Sequence, residues 1–290
     1  MWPLDPPAVT ADDCYTACAG SIRDKSAKNG QPARAYRTLL ATAAAGISAA
    51  SQRFEAAACE GSLPGLMAED FKVTGFDDAE AYTVIYGQGM VQNRAGRDIY
   101  DMLMAAPAYR RCPFCGHGIV RQLDHYLPKA SYPALCVTPL NLIPVCKDCN
   151  EIKKSFVATS IESLLIHPYY DRIDDVRWLN ARVQHATEPT LEFFVEPPGT
   201  WDQIITERVE HHFERFELGR VFGTQANRLV SDILYGVKNL LWAAGSDAVH
   251  AYLLGEAETR FESRINGWEG VTFAALAGDD WFCEGGFTRI

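Results

Sequence analysis

No run of this sequence reaches the roughly 20 strongly apolar residues needed to span a membrane. The longest weakly charged stretch, Thr38 to Ser51, is Ala-rich and shorter, and it reads as a packed helix. The opening MWPLDPPAVTADDC carries Asp5, Asp12 and Asp13 and no basic residue ahead of an apolar run. A secretory signal is therefore not expected, and the expected compartment is the cytosol. Positive charge is also in short supply. Lys and Arg number 27 against 37 Asp and Glu, a net charge of −10, which excludes a uniformly basic nucleic-acid-binding coat. No internal repeat or low-complexity linker is visible. Charged residues are 22% of the 290 and hydrophobic residues 48%, too little charge and too much apolar material for a disordered chain. That length allows two or three packed units.

The nine cysteines do not suggest a disulfide framework, because cytosolic thiols are kept reduced. Four of them form two matched pairs, Cys112/Cys115 and Cys146/Cys149, while Cys14, Cys18, Cys59, Cys136 and Cys283 are scattered. Cys112-Pro-Phe-Cys115-Gly and Cys146-Lys-Asp-Cys149 have knuckle spacing, and four thiolates so placed suit a tetrahedral structural zinc with no open position. Buried thiols or a redox pair is the plainer alternative, and the matching of the two pairs argues against it. Cys14 and Cys18 have helical i, i+4 spacing, no further ligands nearby, and read as core.

Charge is unevenly distributed. From Arg110 to Ser155 seven basic side chains face three acidic ones, a local +4, which leaves −14 on the rest of the chain. A basic island in an acidic protein is where a polyanion is expected to sit. Around it the texture is helical. From Ala11 to Ala106 apolar residues recur at threes and fours, with turns expected at Asn29-Gly30 and from Glu60 to Pro64, and with a helix break expected near Gly89. After the island come an alternating strand at Leu191 to Val195 and helices over Asp202 to Arg220, Thr224 to Ala244 and Ser246 to Trp268. The fold class expected is α+β, with a helical N-terminal region (1–108), a central zinc-stapled module (109–158) and a mostly helical C-terminal region with a short sheet (159–290).

Between the cysteine pairs lie Leu123-Asp124-His125-Tyr126-Leu127-Pro128-Lys129 and Pro139-Leu140-Asn141-Leu142-Ile143-Pro144. The order Cys-x-x-Cys, Asp-His, Asn, Cys-x-x-Cys-Asn over Arg111 to Lys154 resembles the HNH, or ββα-metal, nuclease family. The resemblance covers about a sixth of the chain. It implies a β-hairpin carrying Asp124 and His125 and a helix opening near Cys149 and carrying Asn150, with a catalytic divalent ion between them. It further implies that His125 is the general base, that Asp124 and Asn150 are ligands of that ion, and that Asn141 braces the hairpin and orients His125. Many family members have His where Asn150 stands; a neutral oxygen ligand there favours Mg²⁺ or Mn²⁺. Standalone bacterial HNH proteins with extra helical regions resemble restriction or anti-phage effectors, which implies DNA as substrate and an activating protein partner such as an ATPase.

The chemistry of the residues fits that implication. Phosphodiester hydrolysis needs an activated water, charge stabilisation on the phosphoryl oxygens and help for the departing oxygen. A neutral imidazole takes a proton from water near pH 7 if its other nitrogen is held by a carbonyl or amide. Arg111, Arg121, Lys129, Lys153 and Lys154, with Arg110 and Lys147, are available for backbone phosphates. Two alternatives stay open: an RNA-cleaving toxin, since such a site grips phosphates rather than sugars, and a zinc-knuckle binding module without chemistry. Of the remaining histidines, His117 reads as a knuckle-turn residue, His167 as part of a packed aromatic turn, and His211 and His212 as a solvated helix face.

Overall fold

Helices form in the first hundred residues where apolar side chains recur at threes and fours. The computed structural model describes residues 2–28 and 32–288, so the turn expected at Asn29-Gly30 lies outside the described residues. Helix α1 (Ala11–Gly20) starts at Thr10, whose hydroxyl accepts from the Asp13 N–H at 3.1 Å, and it buries Cys14, Tyr15 and Cys18. Helix α2 (Tyr36–Cys59) buries Leu40, Ala43, Ile47, Ala50 and Phe54, one face at 3.6-residue spacing. It ends at Cys59, and two residues on Gly61, with φ 69°, lets the chain reverse.

Helix α3 (Asp78–Tyr82), capped by Asp77, runs into a π-helix over Thr83–Gln92, and α4 (Arg94–Ala105) follows. The chain breaks at Asn93, which is extended (φ −96°, ψ 143°), rather than near Gly89. Gly89 instead sits inside the π-helix against the backbone of α1: a Cβ there would lie 2.9 Å from the Cys18 carbonyl oxygen. Its service is close approach, not termination.

Strands β1 (Gln122–His125) and β2 (Leu142–Val145) pair antiparallel, with Asp124 opposite Ile143 and His125 opposite Leu142. Helix α5 (Lys147–Lys153) follows directly. Its N-cap is Cys146, three residues earlier than the opening expected near Cys149, because the Cys146 sulfur accepts the Cys149 N–H. This β-hairpin and helix do not form a unit of their own. The chain divides into two compact units, Trp2–Asp171 and Arg172–Ile290, where three regions meeting at 108/109 and 158/159 were expected. The reason is a shared core. Ser51 on α2 hydrogen-bonds Thr138 at 2.7 Å, Phe71 packs edge-on against Tyr132, and the Tyr126 hydroxyl donates to the Leu165 carbonyl at 2.6 Å.

In the second unit β3 (Leu179–Gln184) pairs antiparallel with β4 (Thr190–Val195), the strand expected at 191–195. Leu179, Ala181 and Val183 alternate with polar residues, a weak pattern that the sequence reading passed over. Helix α6 (Gln203–Arg215), capped by Asp202, stops at Glu217, which has φ 50°; α7 (Leu218–Ala244) then starts six residues before Thr224. His212 on α6 is fully buried against Phe216, not on a solvated face. The stretch Ser246 to Trp268 divides into α8 (Ser246–Phe261) and the start of α9 (Trp268–Ala277), before the short α10 (Asp280–Cys283). No helix among the described residues is long and apolar enough to cross a membrane.

Candidate functional site

The four paired cysteines converge. Their sulfurs lie within 4.8 Å of one another and all four residues are buried. Cys115 and Cys146 Sγ are 4.0 Å apart. A tetrahedron of sulfurs about 2.3 Å from a zinc ion has edges of about 3.8 Å, so the cluster fits that metal. The first knuckle closes through the Cys112 N–H to the Gly118 carbonyl (2.8 Å) and the Gly116 N–H to the Cys112 carbonyl (2.7 Å). Gly118 has no room for a side chain: a Cβ would fall 2.7 Å from both Cβ and Sγ of Cys146. Hydrogen bonding by the Cys112 thiol pushes Cys115 and Cys146 down toward thiolate, helped at Cys115 by the Gly118 N–H 3.2 Å from its Sγ, whereas burial pushes Cys112 up and hydrogen bonding by Cys112 pushes Cys149 up. Thiolate is the form that binds metal. His117 is outside the cluster; its carbonyl accepts from Arg111.

The open ends of β1 and β2 present Asp124, His125 and, just beyond β1's partner, Asn141. His125 is 3% exposed, and its Nε2 lies 2.9 Å from the Cys136 carbonyl oxygen. A carbonyl only accepts, so Nε2 carries the proton and Nδ1 has a lone pair. No donor among the described residues reaches Nδ1. Burial, with help from the charge of Lys129, pushes the imidazole down to about 3, so it is neutral across the physiological range.

Asn141, expected to orient His125, makes no hydrogen bond to it. Its side chain accepts from the Leu127 N–H (2.7 Å) and donates to the Leu127 and Leu135 carbonyls (3.1 and 3.2 Å). It thereby closes the 127–135 loop, and the next residue, Cys136, supplies the carbonyl that holds the ring. Asp124 is buried, and burial pushes its carboxyl up against the opposing pull of Lys153. Its Oδ2 has no hydrogen bond, although the Lys153 ammonium stands 3.0 Å away. Asn150, half-buried, is one helical turn before Lys153 on α5.

Lys153 was expected on the phosphates, and the structure corrects this. It is 1% exposed and donates to the His125 carbonyl at 2.7 Å. A buried lysine needs a partner, and the Asp124 carboxylate is there to provide it. Among the other cations, Arg121 and Lys154 are exposed, Arg111 is engaged with the His117 carbonyl, and Lys129 lies over the rings of Tyr82 and Tyr86 (5.8 and 5.4 Å). His167 is buried in the aromatic turn expected of it, 4.3 Å from Tyr126 and 4.8 Å from Tyr170. Cys14 and Cys18 are fully buried, as core. The sequence reading missed Cys136 and Tyr86, whose ring meets His125 in a T-shaped contact at 4.7 Å. Nothing in the local sequence marks either one.

The chain is similar to Protein ea31 of Escherichia phage lambda, with 34% identity over 147 residues. The match covers 49% of this chain and 49% of that protein, so the chain spans about half the length of the curated relative it matches. No protein-family model and no solved structure matches the chain.

Proposed function

We propose that the chain is a metal-dependent nuclease of the HNH kind that hydrolyses DNA phosphodiesters. The observation that carries this reading is the disposition of His125: its Nε2 is committed to the Cys136 carbonyl and its Nδ1 meets no donor among the described residues, while the preceding residue, Asp124, is a buried carboxylate paired with Lys153. Such an imidazole is a neutral base of fixed tautomer. It would remove a proton from a water at Nδ1 as that oxygen bonds to phosphorus, while the P–O bond to the 3′-oxygen breaks and that oxygen takes up a proton from solvent, leaving a 3′-hydroxyl and a 5′-phosphate. The Asp124 carboxylate on the hairpin and the Asn150 side-chain oxygen on α5 would supply the hard, oxygen donor set that suits Mg²⁺ or Mn²⁺. Such an ion, when bound, supplies charge neutralisation for the phosphoryl and departing oxygens. The four-cysteine cluster, filled by zinc, fixes the start of α5 against the hairpin and so fixes Asn150 relative to Asp124. An anti-phage effector working with a partner such as an ATPase is one setting for this activity.

Purified protein incubated with plasmid, linear duplex, single-stranded DNA and RNA under Mg²⁺, Mn²⁺ or EDTA tests the reading. The expected result is DNA cleavage with either ion and none in EDTA. Cleavage of RNA alone makes this an RNase, and binding without cleavage makes it a zinc-knuckle module.

A further inference from the structure

The hairpin-helix module is not the only part of the chain that touches His125. The π-helix reaches it from outside the cysteine-bounded segment. A π-helix of ten residues is an uncommon form that tends to accompany functional sites, and here it is closely packed. Val84, Ile85, Gly89 and Met90 are buried. Gly96 on α4 presses so close that a Cβ would fall 2.5 Å from the Met90 Cα. Held from both sides, the helix turns Tyr86 toward the site.

Tyr86 acts there through its ring. Its ring meets the His125 imidazole at 4.7 Å with the planes 71° apart, the T-shaped arrangement that aromatic quadrupoles favour. Lys129, over the Tyr86 and Tyr82 rings, completes the surroundings. The imidazole is thus pinned at Nε2 by one backbone carbonyl and across its ring by one tyrosine.

We propose that Tyr86 is a positioning residue for His125, so that the N-terminal helical region forms part of the nuclease site instead of merely flanking it. The inference rests on the nuclease reading for its consequence in turnover, but its physical claim concerns the imidazole alone. It is tested on the full-length, zinc-loaded protein with Tyr86→Leu and Tyr86→Phe. Long-range ¹H–¹⁵N spectra report the His125 tautomer. The wild type and Tyr86→Phe should show the single Nε2–H form, and Tyr86→Leu a mixture of tautomers.

In plasmid cleavage Tyr86→Leu should lower kcat by about ten- to a hundredfold, the scale expected for a misplaced reacting group, with KM within about twofold. Tyr86→Phe should recover most of that loss. A single tautomer in Tyr86→Leu overturns the proposal whether or not the protein cleaves DNA. Absence of cleavage by wild type together with a mixed tautomer in Tyr86→Leu overturns only the nuclease reading. If Tyr86→Leu does not retain zinc, pentafluorophenylalanine at position 86 keeps the shape and reverses the ring quadrupole. His125 ring ¹⁵N signals that move in that variant support the contact, and unmoved signals overturn it.

Discussion

His125 and Lys153 are both buried, yet each predicts a different measurement. His125→Ala removes the proposed base while leaving the cysteine cluster untouched. Plasmid cleavage should fall by about two orders of magnitude or more while zinc content stays at wild type. The imidazole also leaves a signature in stability. Its folded value of about 3 lies below the ordinary value near 6.5, because burial opposes its charge. The unfolded chain therefore takes up a proton that the native state refuses. Stability should fall as the pH drops from about 6.5 toward 3 and should be unaffected by this group above that window. Thermal melts of wild type and His125→Gln over that range check it, the variant showing the shallower decline. Lys153→Met strands the Asp124 carboxylate, whose side chain is 11% exposed, without its ammonium. Breaking one side of a buried pair costs about 3 kcal/mol or more, and denaturant unfolding should show a loss of that order.

The elements divide by how their information is stored. The cysteine cluster was legible because metal ligation depends on residue type and spacing, and Cys112/Cys115 with Cys146/Cys149 state both. Strand β4 was legible because Leu191 to Val195 alternate. The Cys136 carbonyl was not, since any residue at that position has one; what matters is the turn that aims it, and Asn141 builds that turn from hydrogen bonds the sequence does not announce. Lys153 looked like a surface cation because lysine usually is one, and its burial depends on Asp124 arriving from another element. Tyr86 lies 39 residues ahead of its partner, on a π-helix that packs closely through Gly89 and against Gly96. The first knuckle yields a direct test at this scale. Gly118→Ala puts a methyl group 2.7 Å from Cys146 Sγ, so it should lower zinc content and melting temperature together. Elemental analysis beside a thermal melt decides it, and Cys146→Ser should give the same pair of losses.

Across the whole molecule charge and partition matter most. With a net −10 and its basic residues gathered between Arg110 and Ser155, the protein should bind DNA weakly and only where that island faces it. Affinity measured between 50 and 200 mM salt should drop by at least tenfold, on the order expected when a few phosphates are neutralised. The division at 171/172 places the cluster, the hairpin, α5 and Tyr86 in one unit. Synthesis gives that arrangement a timetable. The first cysteine pair leaves the ribosome well before the second, since Cys115 and Cys146 are 31 positions apart. At roughly 5–20 residues per second the half-formed knuckle waits several seconds for its other half. No hairpin can be stapled before then, and every residue of the site has been made before the second unit begins. A nascent chain stalled far enough into the second unit for Cys149 to have left the ribosome should therefore already hold zinc.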